Sequence, residues 1–223
     1  LINDPAANAD ATAALALMTT GYRYRVIATT ANTGTNNVGS EMNSRQEIRA
    51  GGDYINPDPA RNNLQPLAGT AGIKLKDPVT GQPDVVINKA IDECCRASST
   101  TLIPFTVTSW KEMQLILAEA ALASANDAEF KTRINAVRSV DALTPWDGTT
   151  PSARDILIHE RRVNLFLQSR RLHDLYRFGL KADRWLPTSV AARKACFFPI
   201  TAIERQSNPL APQPTNLRSA SCT

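Results

Sequence analysis

Between Thr150 and Gly179 apolar positions recur along a run that no proline or glycine interrupts after Pro151. At about 100° per residue, Ile156, Val163 and Leu167 fall on one side, Ile158, Leu165, Leu172 and Tyr176 on another, and Phe166 on a third. The pattern predicts one long helix, apolar nearly all round and therefore buried among other helices. Thr150 with Pro151 offers an N-cap and a first-turn proline, and Ser152 with Asp155 an alternative capping box; Gly179 suits the left-handed position past the C-terminus. On such a helix Glu160, Arg171 and Asp174 are partly buried and need partners. Arg171 and Asp174 can meet at a spacing of three, whereas Glu160 needs a partner from another element.

Upstream, Ser109 and Glu112 form a capping box for the run WKEMQLILAEAALASA, and Asn126 with Asp127 turns the chain into EFKTRINAVRSVDAL. Two antiparallel helices are expected, with Ala118, Ala120, Ala121 and Ala136 allowing close approach. Near the start, Asp4 with Pro5, or Asn8 and Asp10, caps an alanine-rich helix that Gly21 ends; Tyr22, Tyr24 and Val26 then alternate with arginines, as a short strand or a second helix. From about Thr29 to Thr100 the chain is rich in Asn, Thr, Gly and Pro, with Val85-Val86-Ile87 and Leu102 to Phe105 as the strand candidates of note. The expected fold is mostly α, a helical-hairpin (TPR-like) bundle with long loop-rich segments. Its expected divisions are an N-terminal arm and helix (1–28), a loop-rich segment (29–108), a helical core (109–206) and an extended tail (207–223).

The composition is that of a globular chain: 43% hydrophobic and 21% charged over 223 residues. A formal net charge of +4 is spread among interleaved acidic and basic residues, which argues against a phosphate-tracking stripe and hence against nucleic acid. No window is apolar enough to span a bilayer as a helix. Without an initiating Met or a basic-then-apolar leader, the chain is expected to be a processed or partial protein. Cys94, Cys95, Cys196 and Cys222 lack zinc-ligand spacing, so no metal is expected. Disulfides joining Cys94 and Cys95 to Cys196 and Cys222 are expected instead, and with them an oxidising, extracellular compartment; four buried free thiols are the rival reading.

The spacing of Glu160, Arg161, Arg162, Val163, Leu165, Arg171, Asp174, Leu175, Arg177 and Gly179 resembles a late helix of the SusD/RagB family. Two further matches flank it in family order: LAEAAL with INAVRSV before, and Phe198, Pro199, Ile200, Glu204, Asn208 and Pro209 after. The family pattern has acidic residues where this chain has Asn164 and Gln168, a glycine at Ser169 and a histidine at Arg170. The resemblance implies a non-catalytic protein of the cell surface or outer membrane, glycan or nutrient capture, and a TonB-dependent outer-membrane transporter as partner.

Candidate chemistry is sparse. Glu160 and Asp174 lie fourteen residues apart, about 21 Å along a continuous helix, beyond the roughly 5 to 10 Å of glycosidase carboxylates. His159 and His173 have the same separation, and no nucleophile-elbow, P-loop or dinucleotide motif occurs. No catalytic residue and no cofactor are assigned. Tyr54 and Trp146 lie in Gly-, Asp- and Pro-rich loops and are the candidate sugar platforms, set against the commoner role of an aromatic that anchors its own loop. An alternative function is self-assembly into an extracellular oligomer or filament, with the polar, proline-rich tail and Cys222 lying on a neighbouring subunit.

Overall fold

The computed structural model describes residues 1–29, 31, 37–45, 50–61, 65–95 and 102–180. The chain divides into two compact units, Leu1–Ser169 and Arg170–Thr223. The described part is mostly helical. In chain order its main elements are α1 (Pro5–Leu17), β1 (Arg23–Val26), a short turn α2 (Asn37–Gly39), α3 (Val85–Cys94), β2 (Phe105–Ser109), α4 (Trp110–Ala123), α5 (Asp127–Ser139), α6 (Ala153–Asn164) and α7 (Arg171–Arg177).

The expected hairpin is α4 and α5. Ser109 Oγ accepts from the Glu112 N–H to start α4, and Asn126 Oδ1 accepts from the Glu129 N–H to start α5. α6 packs against both and α1 against α4. Leu115, Phe130, Ile134, Ile156 and Leu157 are wholly excluded from solvent there, and each contributes roughly 1.5–3 kcal/mol by leaving water. β1 and β2 form an antiparallel two-stranded ribbon with a register shift between Tyr24 and Arg25. This resolves the alternating segment as strand.

The loop-rich stretch has a core of its own. Met42, Ile55, Ile73, Ile103 and the buried face of α3 (Val86, Ile87, Ile91) cluster with Val163 of α6. Its backbone polar groups pair along isolated bridges, Ile55 with Ile73, Pro57 with Pro66 and Lys76 with Pro83. The described parts of this irregular segment are held together by that core, which Val163 joins to α6.

Three expectations are corrected. Val85-Val86-Ile87 opens a helix rather than a strand, because Asp84 Oδ1 caps the Ile87 N–H at 2.8 Å and the buried positions of the segment recur at helical spacing. The single long helix is two helices, α6 and α7. Thr150 does not cap α6; Ser152 does, accepting from the Asp155 N–H after a cis Thr150–Pro151 peptide. At the other end Asn164 donates to the Glu160 carbonyl and Gln168 to the Asn164 carbonyl, so side chains take up acceptors the helix would otherwise use. Leu167 and Ser169 then adopt φ of 58° and 60°. These left-handed residues cannot continue a right-handed helix. Finally, Cys94 and Cys95 are bonded to each other, which removes both from the expected links to Cys196 and Cys222. Cys94 ends α3 and Cys95 caps it in a non-helical conformation, and this turn brings the two sulfurs together. Cys196 and Cys222 lie outside the described residues, as do Phe198, Pro199, Ile200, Glu204, Asn208 and Pro209.

In the second unit, α7 closes on Gly179 at φ 63°. The Gly179 N–H reaches Tyr176 O and the Leu180 N–H reaches Leu175 O, the paired bonds of a Schellman cap. Arg177 donates to Asp174 at 2.8 Å within this turn of helix, and its guanidinium lies 5.0 Å from the centre of the Phe178 ring.

Candidate functional site

Consecutive residues on a helix point about 100° apart, so the tripeptide Glu160-Arg161-Arg162 of α6 sends three charged side chains to three different elements. Glu160, wholly buried, accepts from Arg138 of α5 at 2.6 Å. Arg161 faces Glu119 of α4 at 3.8 Å, and Glu119 also accepts from the Ile2 N–H of the N-terminal arm. Arg162 reaches the Gly51–Tyr54 turn: it lies 3.8 Å from Asp53, and its guanidinium sits 4.3 Å from the centre of the Tyr54 ring. One residue earlier, His159 meets the helix-capping Asp84 at 2.8 Å. Four adjacent residues of α6 thus tie it to α3, α5, α4 and the loop-rich segment.

Arg138 is the centre of the most buried of these ties. Its Nη1 and Nη2 bind both oxygens of Asp77 at 3.1 and 3.0 Å, Nη1 also binds Glu160, and Nε donates to Thr144 O. Asp77 heads the turn to Gly81 and accepts in addition from the Val79 N–H and the Thr80 hydroxyl. Burial alone would raise the Asp77 carboxyl, but these bonds and the Arg138 charge hold it below its ordinary value. Burial pushes the Glu160 carboxyl up, against the charges of His159 and Arg138. This arrangement is interior architecture. It supplies the partner that the sequence required for Glu160, and it involves Arg138 and Asp77, neither of which the sequence reading singled out. The available signal was an arginine inside the apolar run INAVRSV.

Tyr54 and Trp146 occupy different environments. Trp146 is 3% exposed and meets Phe130 edge-on at 5.4 Å. Its indole N–H donates to Pro151 O, and Asn135 binds its backbone N–H and carbonyl. That is the geometry of a loop anchor. Tyr54 is half-buried beside exposed Asp53 and Gly52. Its ring is held by Phe166 at 5.3 Å and by the Arg162 guanidinium.

A concavity of about 280 Å³ lies among β1, α3, β2 and the end of α6. Lys111 and Lys89 both donate to Asp141 on its wall, and Lys111 also donates to Asn164 Oδ1 at 2.8 Å. Burial would raise Asp141, yet the hydrogen bonds from the two lysines bring it below its ordinary value, so it remains a carboxylate. Among the described residues no group of three or more His, Cys, Asp or Glu side chains is placed to hold a metal ion, and no helix is long and apolar enough to cross a membrane.

Comparison with known proteins returns one family. The model of the SusD family matches residues 86–213, more than half of the chain. The match runs from α3 through the hairpin and the tripeptide helix. No curated protein and no solved structure matches the chain.

Proposed function

Because the chain belongs to the SusD family, we propose that it is a non-catalytic component of nutrient uptake at the cell surface, which captures a glycan and passes it to a TonB-dependent outer-membrane transporter. The observation that carries this reading is the seating of Tyr54. Arg162 of the buried tripeptide and Phe166 hold an aromatic ring on an otherwise exposed turn, which is how a rigid stacking surface for a sugar ring is built. The carboxylate of Glu160 is meanwhile committed to Arg138 inside the fold, which favours binding over hydrolysis. Native affinity electrophoresis of the full chain through gels containing soluble polysaccharides tests the reading. Retardation by at least one glycan, without release of reducing ends, is the expected result; retardation by none contradicts it.

Self-association is a second reading, favoured by the ribbon. Tyr24, Val26 and Ile27 are each more than half exposed, and Leu17 is 89% exposed. Exposed apolar side chains on β1 and beside it suit contact with another copy. Light scattering tests this: a monomer at high concentration removes it.

A further inference from the structure

The wall of the cavity among β1, α3, β2 and the end of α6 includes a residue with an unmet acceptor. Gln168 is 8% exposed and lines the cavity. Its Nε2 lies 2.8 Å from Asn164 O. A carbonyl only accepts, so the amide orientation is fixed and Oε1 is the atom left over. That oxygen is buried with no hydrogen-bond partner. An unsatisfied buried polar atom destabilises its surroundings, and a bound donor removes that cost.

The charges around the cavity do not balance. Lys89 and Lys111 share the one carboxylate of Asp141. Arg23 and Arg25 share the one carboxylate of Glu93. Arg25 lies outside the lining, which therefore carries three cations, Arg23, Lys89 and Lys111, against the carboxylates of Glu93 and Asp141; Lys89, with its side chain 59% exposed, retains N–H donors beyond the one it gives Asp141. The remaining wall includes Val86, Ala90 and Phe166. At about 280 Å³ the cavity stands at the lower end of ligand pockets, which begin near roughly 300 Å³. That size suits one six-membered ring.

We propose that this cavity binds a single acidic sugar ring, a hexuronate. A ring hydroxyl donates to Gln168 Oε1, the carboxylate accepts from Lys89, and a C–H face of the ring lies against Phe166. The inference rests on the glycan-capture reading and adds to it a site and a charge preference. Both the donor demand of Gln168 and the cation excess are needed: a neutral hexose meets only the first, and an inorganic anion only the second.

Calorimetric titration of the full chain with D-glucuronate, D-galacturonate, D-glucose and D-galactose tests this. At least one uronate is expected to bind at one site, about tenfold or more tighter than its neutral counterpart, as a charge-assisted hydrogen bond implies. Lys89→Gln is expected to bring the uronate down to the neutral sugar, and Gln168→Leu to weaken both sugars together. Denaturant unfolding checks that each variant is folded, and if Gln168→Leu is not, Lys89→Gln decides. No uronate binding, equal binding of charged and neutral sugars, or undiminished uronate binding by Lys89→Gln would each overturn the inference. A polysaccharide bound by a chain that takes no uronate overturns this site alone and leaves the proposed function standing.

Discussion

Arg138 Nη1 lies 2.6 Å from Glu160 Oε1, across 22 residues of sequence, with both side chains 1% exposed. The same guanidinium grips Asp77, whose side chain is 5% exposed. A buried ion triad of this kind pays heavily for desolvation and recovers it only while every partner is present. Arg138 thus joins the tripeptide helix to α5 and to the Asp77 turn of the loop-rich segment, beside the ties made by His159, Arg161 and Arg162.

Truncating that side chain should be severe. Arg138→Ala leaves two buried carboxylates without their cation and is expected to cost about 3–5 kcal/mol in chemical denaturation. Replacing the triad together, with Asp77→Asn, Arg138→Met and Glu160→Leu, should bring stability back to within about 2 kcal/mol of the parent. A mild Arg138→Ala would show that the triad does not hold these elements together.

Acid should loosen the fold through identified groups. Asp77, Asp141 and Glu93 all have lowered pKa values: for the two aspartates burial is outweighed by their partners' hydrogen bonds, and for Glu93 the Arg23 hydrogen bond leads. Their contribution is present in full above the unfolded values, near about pH 4, and is lost as pH falls through the folded values. Glu160 acts oppositely: its folded pKa is raised, so its contribution is lost as pH rises through that value. Stability should drop steeply below about pH 4, and Asp77→Asn should flatten that drop while lowering stability at neutral pH. An unchanged acid limb in Asp77→Asn would refute the assignment.

The hairpin, the helix starts at Ser109 and Asn126 and the cap at Gly179 were legible because each depends on a local hydrogen bond between residues close in sequence. The break after Asn164 was hidden by a run of good helix formers. It arises from side-chain bonds of Asn164 and Gln168 and from φ of 58° at Leu167 and 60° at Ser169. The overlooked signal was the glycine that the family pattern places at Ser169, because only glycine takes that conformation freely. Arg138, Asp77 and the cavity around Gln168 were not legible, since they join residues that tertiary packing alone brings together.

The strained position gives its own test. Ser169 is exposed and left-handed, so Ser169→Gly should stabilise by about 0.5–1 kcal/mol. Ser169→Val should destabilise, because a β-branched side chain resists that conformation. If the two variants are equally stable, a continuous helix through this point becomes the better description.

The most direct test of the central claim compares glycan affinity in the parent, Tyr54→Phe and Tyr54→Ala, using the polysaccharide that most retards the parent. Tyr54→Phe keeps the ring that Phe166 and Arg162 hold in place and is expected to retain most of the affinity. Tyr54→Ala should lose about tenfold or more, corresponding to roughly 1.4 kcal/mol or more of stacking, while remaining folded at the assay temperature. Undiminished affinity in folded Tyr54→Ala would contradict the account.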